Sequence, residues 1–416
     1  MNRKPRILFT SPVIKHPPAG GPYLRIENSI KTLSRLSELH IVSRVPLRQM
    51  GGQAALSVYR QYCQTFQICT TLKLNRFFNF SRLAINYISK LFIDKILWPQ
   101  PCESKPEFKF VLNRARAVKA DIIWLGYGNI SYDLLKYIKA HSDFKVILDT
   151  DSVWSRFVMR GLPYAKNSHE RQAIEISGRK KQEQERWGTA LADITTAVSE
   201  VDAQYYRGLA KHSEQVHLFS NVIDIESYKE IPPPVIGLKH PCIYLAGSFA
   251  PQSPIADAAR WVIKEVMPLL RRQLPTIHFY IIGKGAKETL ADINDPGITV
   301  LGMVPSVLPY LCFVDVAIVP LRFESGTRFK ILEAGACGIP LVSTTLGAEG
   351  LSVVHNIHLL IADTPELFAA SIFKLVQNRP FAQSLAANLK TLVYKYNSLN
   401  SSIQEAANIL KYLQIT

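Results

Sequence analysis

The sequence predicts an α/β protein made of two doubly wound domains with parallel sheets. Short apolar runs alternate with helical patterns along the chain, which is typical of parallel strands joined by helices. At 416 residues the chain is long enough for two or three domains with cores of their own. A stiff Pro232-Pro233-Pro234 tract separates the two series of strands. We therefore expect domains at 1–227 and 242–393, a linker at 228–241 and a C-terminal helix at 394–416.

Each predicted strand is a short apolar run bounded by polar or turn residues. Helical spacing of apolar residues follows most of these runs, which predicts one connecting helix per pair of strands. The first domain has predicted strands at 7–13, 40–45, 122–125, 146–149, 194–198 and 216–219. The second has predicted strands at 243–247, 278–282, 299–301, 316–320, 341–345 and 358–362.

Composition limits the class of protein. A hydrophobic content of 47% with 20% charged residues is that of a folded globular chain. No apolar run approaches the length of a membrane span. The first residues, MNRKPRILFTSPV, have no long apolar core or cleavage site, so we interpret them as a strand rather than a signal peptide. The six cysteines lack metal-binding spacing and predict free thiols in the cytoplasm.

The chain is strongly basic, with a net charge of +16 from 49 Lys and Arg against 33 Asp and Glu. Nucleic acid, an anionic membrane surface and phosphorylated substrates are the partners that such a charge attracts. No nucleic-acid-binding motif is visible, so we expect no nucleic acid partner. A phosphorylated substrate, with or without a membrane surface, fits better, and charge that only aids solubility is the simplest alternative.

The segment 317–351 carries the most chemical information. An apolar run leads into a loop with Gly326, which allows backbone to approach a ligand closely. Thr327 is the predicted N-cap of a helix that ends near Gly338. Arg328 and Lys330 then fall in its first turn, where the helix dipole disfavours cations, which indicates a bound anion. Glu333, one turn on, can accept hydrogen bonds from two vicinal hydroxyls. The alternative is a solvated amphipathic helix with Lys330 and Glu333 as a surface pair.

This segment resembles the donor-binding signature of the retaining glycosyltransferases of family 4. The match runs from Ser325 to Ala334 and contains Leu332-Glu333-Ala334, the usual second glutamate of the signature. The usual first glutamate falls on Ser325, with Glu324 one position earlier. The resemblance implies a GT-B fold, in which two doubly wound Rossmann-like domains face a cleft, and a C-terminal helix that crosses back to the first domain.

The resemblance also implies roles for the residues that bind the donor. Glu333 holds the ribose hydroxyls. Amides of the loop at Gly326 and Thr327, with the cations Arg328 and Lys330, hold the diphosphate and stabilise the leaving group. The role of the first glutamate, which is contact with the donor sugar, falls to Glu324, to Ser325 or to backbone N–H groups.

A second segment, 243–285, resembles the first strand, loop, helix and second strand of the same family's C-terminal domain. Its loop begins with Gly247 and Ser248, which the resemblance places at the donor. Relatives often carry basic residues in this loop, but none lies between Gly247 and Asp257 here. We therefore expect Arg328 and Lys330 to carry the phosphate charge alone.

The loop after the first strand contains Gly20 and Gly21. Ligands of open α/β sheets bind at the carboxyl ends of strands, which brings this loop into consideration. Paired glycines here resemble the family's first-domain loop near the donor phosphates. The alternative is an ordinary Gly-Pro turn.

The tripeptide Asp149-Thr150-Asp151 follows another predicted strand. The spacing of its carboxylates suits a divalent cation, but the GT-B resemblance puts the phosphates elsewhere, so we expect no metal. In family 4 the loop at this position touches the transferring sugar or the acceptor, which gives Asp149 or Asp151 a catalytic role toward the acceptor hydroxyl. The alternative is a helix-capping aspartate.

Residues 72–98 combine aromatic, basic and apolar positions at helical spacing. The pattern predicts either a core helix of the first domain or a helix on a membrane surface. The second possibility would suit a lipid-linked acceptor at the inner face of the membrane.

These features predict a metal-independent, retaining glycosyltransferase. It would use a nucleotide-sugar donor as substrate, require no cofactor, and act on a saccharide or lipid-linked acceptor in surface polysaccharide or glycan synthesis. A catalytically weak sugar-nucleotide-binding protein and a GT-B sugar-nucleotide epimerase are the alternatives.

Overall fold

The computed structural model describes residues 3–18, 20–69 and 105–415. The chain divides into two compact units: Met1–Phe219 together with Ile403–Thr416, and Ser220–Ser402. The segment 220–241, which contains the predicted linker, lies within the second unit. Residues 72–98 fall outside the described residues, so the helix expected there stays a prediction.

The first unit is built on a seven-stranded sheet in the order β3-β2-β1-β4-β5-β6-β7. Every neighbouring pair of strands is parallel. The strands are β1 (Arg6–Ser11), β2 (Glu38–Ser43), β3 (Thr65–Ile68), β4 (Ile122–Gly126), β5 (Lys145–Asp149), β6 (Ile194–Ala197) and β7 (Val216–Leu218).

Helices connect these strands. Those of the first unit are α1 (Gly21–Leu36), α2 (Leu47–Met50), α3 (Gly52–Arg60), α4 (Lys105–Ala117), α5 (Tyr132–His141), α6 (Trp154–Met159), α7 (Ser168–Leu191) and α8 (Glu200–Arg207). The last helix of the chain, α17 (Leu399–Tyr412), begins in the second unit and continues into the first.

The first unit has a hydrophobic core on each face of its sheet. Ile7 and Phe9 of β1 belong to one cluster and Leu8 to the other, because successive side chains of a strand point to opposite faces. A sheet covered on both faces needs strands that are apolar throughout, which explains the uninterrupted apolar runs in the sequence. Ala406 and Ile409 of α17 complete the first of these clusters.

The second unit is built on a six-stranded sheet in the order β10-β9-β8-β11-β12-β13, and its neighbouring strands are again parallel. Its strands are β8 (Cys242–Ala246), β9 (His278–Ile282), β10 (Ile298–Gly302), β11 (Val316–Val319), β12 (Leu341–Ser343) and β13 (Leu360–Ile361). Its helices are α9 (Pro254–Trp261), α10 (Met267–Arg271), α11 (Ala286–Thr289), α12 (Leu308–Leu311), α13 (Phe329–Cys337), α14 (Thr345–Ala348), α15 (Pro365–Gln377) and α16 (Arg379–Tyr396).

Every strand predicted from the sequence is present, with ends that differ by a few residues, and β3 is an additional strand at the edge of the first sheet. In each unit the strand order reverses direction at one place: between β1 and β4 in the first, and between β8 and β11 in the second. Ligands of open α/β sheets bind beside the carboxyl ends of the strands at such a reversal. Within the described part of the chain, no helix combines the length and the apolar character needed to cross a membrane.

Candidate active site

The strand order of the second unit reverses between β8 and β11, and the loops after these two strands begin at that place. The β11 loop comprises residues 320–328 and leads into α13. Gly326 has φ +78°, a left-handed conformation that favours glycine. The chain from Ser325 to Arg328 is buried. The loop is therefore a fixed part of the fold and holds its backbone groups in set positions.

Arg328 helps to shape this loop from within. Its guanidinium Nη1 donates to the carbonyl of Ser325 at 2.7 Å and to the carbonyl of Gly326. The residue is only 5% exposed. Arg328 therefore supports the turn that precedes α13, in addition to placing a positive charge beside it.

The prediction that Thr327 caps the helix is wrong. The helix starts at Phe329, its N-cap residue is Arg328, and no side chain caps it. The Thr327 hydroxyl instead accepts a hydrogen bond from Asn221 Nδ2 at 2.7 Å. Asn221 in turn is held by Asn397, whose side-chain amide donates to the Asn221 carbonyl at 2.9 Å. Asn221 is 106 residues away from Thr327 in the chain, so the local sequence pattern could not predict this hydrogen bond.

Lys330 is the second residue of α13 and is half-buried. Burial lowers its pKa, and the positive charge of Arg328 lowers it further, while Glu324 and Glu333 act in the opposite direction. Two basic side chains therefore stand at the start of one helix, where the helix dipole also favours an anion. Negative charge bound here would offset the repulsion between them.

Glu333 lies one turn beyond Lys330 and is half-buried. The hydroxyl of Tyr228 donates to Glu333 Oε1 at 3.3 Å. Burial raises the pKa of Glu333 to about 7, while the charge of Lys330 and the hydrogen bond from Tyr228 oppose that rise. Near neutral pH this carboxylate is thus close to its titration midpoint. The sequence contained no signal that singled out Tyr228.

Ser325 and Glu324 are the two other side chains of this loop that the sequence predicts to contact the nucleotide-sugar donor. Ser325 is 7% exposed, and its hydroxyl oxygen is buried and has no hydrogen-bond partner among the described residues. Glu324 is half-buried, and its Oε1 accepts from the backbone N–H of Ser325 at 3.3 Å. The position that usually carries the first glutamate is therefore occupied by a short buried side chain.

The β8 loop supplies Gly247, which is half-buried, and Ser248, which is exposed. This loop lies against the loop that follows β9, because the N–H of Phe249 donates to the carbonyl of Lys284 at 2.8 Å. A Cβ at Gly283 would approach the Gly247 carbonyl oxygen to 1.7 Å, so only glycine allows this contact. The sequence drew attention to the absence of cations between residues 247 and 257. The fold brings an exposed lysine, Lys284, to the same edge of the sheet.

Another cation close to this edge, Arg322, has an acidic partner. Its guanidinium makes two hydrogen bonds to the Asp257 carboxylate, at 2.6 and 2.9 Å. This pair joins the β11 loop to the first turn of α9. Arg328 and Lys330 are therefore not the only basic side chains near the loops, and the expectation that they alone carry the phosphate charge stays a prediction.

In the first unit, Gly20 and Gly21 stand at the start of α1. Gly20 is the N-cap residue, with φ +100°, and its carbonyl accepts from the N–H of Leu24 at 3.1 Å. Pro22 follows in the first turn, where a missing N–H costs no helical hydrogen bond. These glycines lie at the carboxyl end of β1, at the reversal of strand order, and belong to a different unit from the residues around Arg328.

Asp149 is completely buried at the end of β5. Its Oδ1 accepts from Arg25 at 2.5 Å and from the Thr196 hydroxyl at 2.8 Å. Its Oδ2 accepts from the Trp124 indole at 3.0 Å. A carboxylate enclosed by three donors within the core favours a structural role over the catalytic role predicted for it.

Asp151 has a different environment and is half-buried. Its Oδ1 accepts from the Trp154 indole at 3.0 Å, and its backbone N–H donates to Asn129 at 2.9 Å. Burial raises the pKa of Asp151 to about 6, although hydrogen bonds from Trp154 and Tyr127 oppose the rise. A carboxyl group with such a pKa can accept a proton near neutral pH. Of the two aspartates, Asp151 is the more exposed, and its raised pKa lies nearer to neutral pH than the usual value for aspartate.

Among the described residues, one group has the composition of a metal site: His240, Cys242 and Asp315. Asp315 Oδ2 lies 2.6 Å from His240 Nδ1 and accepts the backbone N–H of Cys242 at 2.7 Å. Asp121 and Asp193 accept the N–H of a neighbouring strand in the same way, each at 2.8 Å. Asp315 thus follows a pattern that joins strand ends elsewhere in this protein, and we assign no metal to the group.

Comparison with known proteins identifies the class of the second unit. Residues 240–378 match the family model described as "Glycosyl transferases group 1". This region includes both loops and helix α13 with Arg328, Lys330 and Glu333. The second unit therefore contains a group 1 glycosyltransferase domain, and the predicted enzyme class is supported. No curated protein matches the chain.

Solved structures resemble nearly the full length of the chain. HepE from Anabaena in complex with UDP and glucose is 13% identical, with a TM-score of 0.62 and coverage of 98% of this chain and 99% of that one. Sucrose-phosphate synthase from Thermosynechococcus elongatus is 15% identical, with a TM-score of 0.67 and coverage of 98% and 99%. A mutant of S. aureus TarM in complex with fondaparinux, alpha-GlcNAc-glycerol and UDP is 11% identical, with a TM-score of 0.67 and coverage of 97% and 99%. These similarities confirm the predicted GT-B class with two Rossmann-like units.

Proposed function

We propose that the protein is a retaining glycosyltransferase that uses a nucleotide-sugar donor. The donor diphosphate binds at the start of α13, where Arg328, Lys330 and the amides of the β11 loop supply positive potential. Glu333 accepts hydrogen bonds from the ribose. Gly247 and Ser248 allow the β8 loop to approach the donor, and Lys284 adds charge at the same edge of the sheet.

Catalysis in this proposal is electrostatic. As the bond between sugar and diphosphate breaks, negative charge grows on the leaving group, and Arg328 and Lys330 are already in place to stabilise it. Fixed cations and amides supply this stabilisation, so a metal ion is not required. We assign no protein nucleophile and propose attack of the acceptor on the face that the leaving group vacates, which retains the anomeric configuration.

In this proposal, residues of the first unit bind the acceptor. Asp151 orients the acceptor hydroxyl or takes its proton, since its pKa of about 6 suits that task near neutral pH. We propose a saccharide or lipid-linked acceptor in surface polysaccharide or glycan synthesis, and a cytoplasmic enzyme that works at the inner membrane face. The net charge of +16 supports attraction to an anionic surface.

One observation carries the donor assignment. Two basic residues and a carboxylate one turn later stand on a helix that starts at the reversal of strand order, inside the region that matches the group 1 family model. A diphosphate next to a ribose has the charges and hydroxyls that complement such an arrangement.

The first test is the thermal stability of the protein with UDP, GDP, ADP and their sugars. UDP comes first because HepE and TarM were solved with it. We expect one nucleotide to raise the melting temperature and the matching nucleotide-sugar to be consumed when an acceptor is supplied. NMR of the product would report its anomeric configuration, and inversion would contradict the retaining mechanism. If no nucleotide stabilises the protein, the donor assignment fails.

A catalytically weak nucleotide-sugar-binding protein is the second candidate. Ser325 stands where a glutamate is usual, and its buried hydroxyl lacks the negative charge of a carboxylate. Stabilisation by a nucleotide without turnover of any nucleotide-sugar would favour this candidate. Conversion of the donor to its epimer without an acceptor would instead identify an epimerase.

A further inference from the structure

Tyr228 lies behind the carboxylate proposed to bind the ribose. It ends the short 3-10 helix Ile225–Tyr228, before the first strand of the second unit's sheet, and is 8% exposed. Its hydroxyl donates to Glu333 Oε1 at 3.3 Å. The contact joins positions 105 residues apart in the chain, within the second unit.

Three other charged or titratable groups interact electrostatically with Glu333, and they lie on two elements. Lys330 and Cys337 lie on α13 with Glu333, and Tyr244 lies on β8. Of these, Lys330 stabilises the ionised carboxylate through its charge. Among the described residues, Tyr228 is the one side chain that affects Glu333 by a hydrogen bond.

We infer that Tyr228 is a positioning residue, whose hydroxyl holds the Glu333 carboxylate in the orientation and charge state in which it accepts hydrogen bonds from the two vicinal hydroxyls of a ribose. This inference rests on the proposed function for its ligand. An ionised carboxylate has about four acceptor positions, so one bond from Tyr228 leaves room for both hydroxyls. The hydrogen bond also restrains the Glu333 side chain before the nucleotide binds, which reduces the conformational entropy lost on binding.

The charge state matters because burial works against it. Burial raises the pKa of Glu333 to about 7, and the Tyr228 hydrogen bond is one of the two effects that hold it down. Without the hydroxyl, the pKa of Glu333 should rise further, since a donor to the charged form favours that form. At neutral pH a larger share of the protein would then carry a protonated Glu333, which is a poorer acceptor.

The first experiment measures the pKa of Glu333 without any ligand. Protein labelled with ¹³C at the glutamate carboxyl carbon is titrated by NMR, and the Glu333 signal is assigned from its loss in Glu333→Gln. We expect Tyr228→Phe to raise this pKa clearly. Tyr244→Phe is the matched control, because Tyr244 lies near Glu333 but makes no hydrogen bond to it, and it should change the pKa little. An unchanged pKa in Tyr228→Phe would overturn the inference.

The second experiment compares binding of UDP with that of 2′,3′-dideoxy-UDP at pH 7. With a pKa of about 7, roughly half of Glu333 is ionised at pH 7, and a rise of about one pKa unit would leave about a tenth ionised, which lowers affinity for a ribose hydroxyl pair roughly fivefold. We expect Tyr228→Phe to weaken UDP binding by about that factor and to leave the dideoxy analogue unchanged. Equal losses for both nucleotides would mean a structural role only. If UDP does not bind the unaltered protein, the UDP donor site fails, while the titration still decides the role of Tyr228.

Discussion

Replacement of Asp149 by alanine should destabilise the first unit severely. The Arg25 and Asp149 side chains are 2% and 0% exposed, so solvent barely screens this ion pair. When the carboxylate is removed, the Arg25 guanidinium remains charged and buried. It retains its hydrogen bond to the Phe219 carbonyl at 3.1 Å and its contact with the Phe219 ring. Loss of one member of a buried pair costs about 3–5 kcal/mol. Since a domain is usually stable by about 5–15 kcal/mol, this is a large share of the total.

Urea unfolding followed by tryptophan fluorescence would measure this loss. Trp261 is the one tryptophan of the sequence inside the second unit, so a Trp261→Phe background makes the signal report on the first. Asp151→Asn is the matched control. Burial raises the pKa of Asp151 to about 6, so its ionisation opposes folding above that pH, and the neutral asparagine should leave stability at pH 7 equal or slightly higher.

Two results would refute this reasoning. A loss below about 1 kcal/mol in Asp149→Ala would mean that the buried pair contributes little net stability. Normal stability together with abolished turnover would return Asp149 to the catalytic role predicted from the sequence. If the alanine variant does not fold, Asp149→Asn preserves a hydrogen-bond acceptor and should show a smaller, measurable loss.

Further predictions concern the candidate donor site. Arg328→Ala should lower kcat/KM at least about 100-fold, as expected for loss of one electrostatic stabiliser; activity within a few-fold of the unaltered enzyme would contradict the assignment. Nucleotide affinity should fall as pH decreases through about 7, because Glu333 gains a proton there, and titration calorimetry should find this dependence absent in Glu333→Gln. Turnover should persist in excess EDTA; its abolition, with recovery on addition of Mn²⁺, would indicate a metal-dependent reaction.

The sequence predicted the sheets well because their strands are covered on both faces. Runs such as Ile122 to Leu125 are apolar at every position, and such runs are easy to recognise. The edge strand β3 was missed, since all four of its residues remain at least partly exposed and its pattern is mixed. The sequence therefore predicted the buried apolar strands and missed the strand that is partly exposed.

The donor loop was predicted in outline but not in its contacts. The anion-binding character of Arg328 and Lys330 follows from local spacing. The partners of Thr327 and Glu333 do not, because Asn221 and Tyr228 reach them from more than 100 residues away in the chain. Lys284 likewise comes beside the β8 loop only through the pairing of neighbouring strands. Such tertiary partners decide which side chain caps a helix and which carboxylate ionises.

The last helix has a consequence for the order in which the protein forms during synthesis. Ala406, Ile409 and Leu410 belong to the same core as Ile7 and Phe9, so residues from the two ends of the chain share one hydrophobic cluster. The second unit is continuous in sequence, and all of it except Leu399 to Ser402, the first residues of that helix, is synthesised before the helix begins. The first unit, although it is translated first, therefore cannot complete this cluster until the last helix has been synthesised, and until then it exposes the apolar surface that α17 covers.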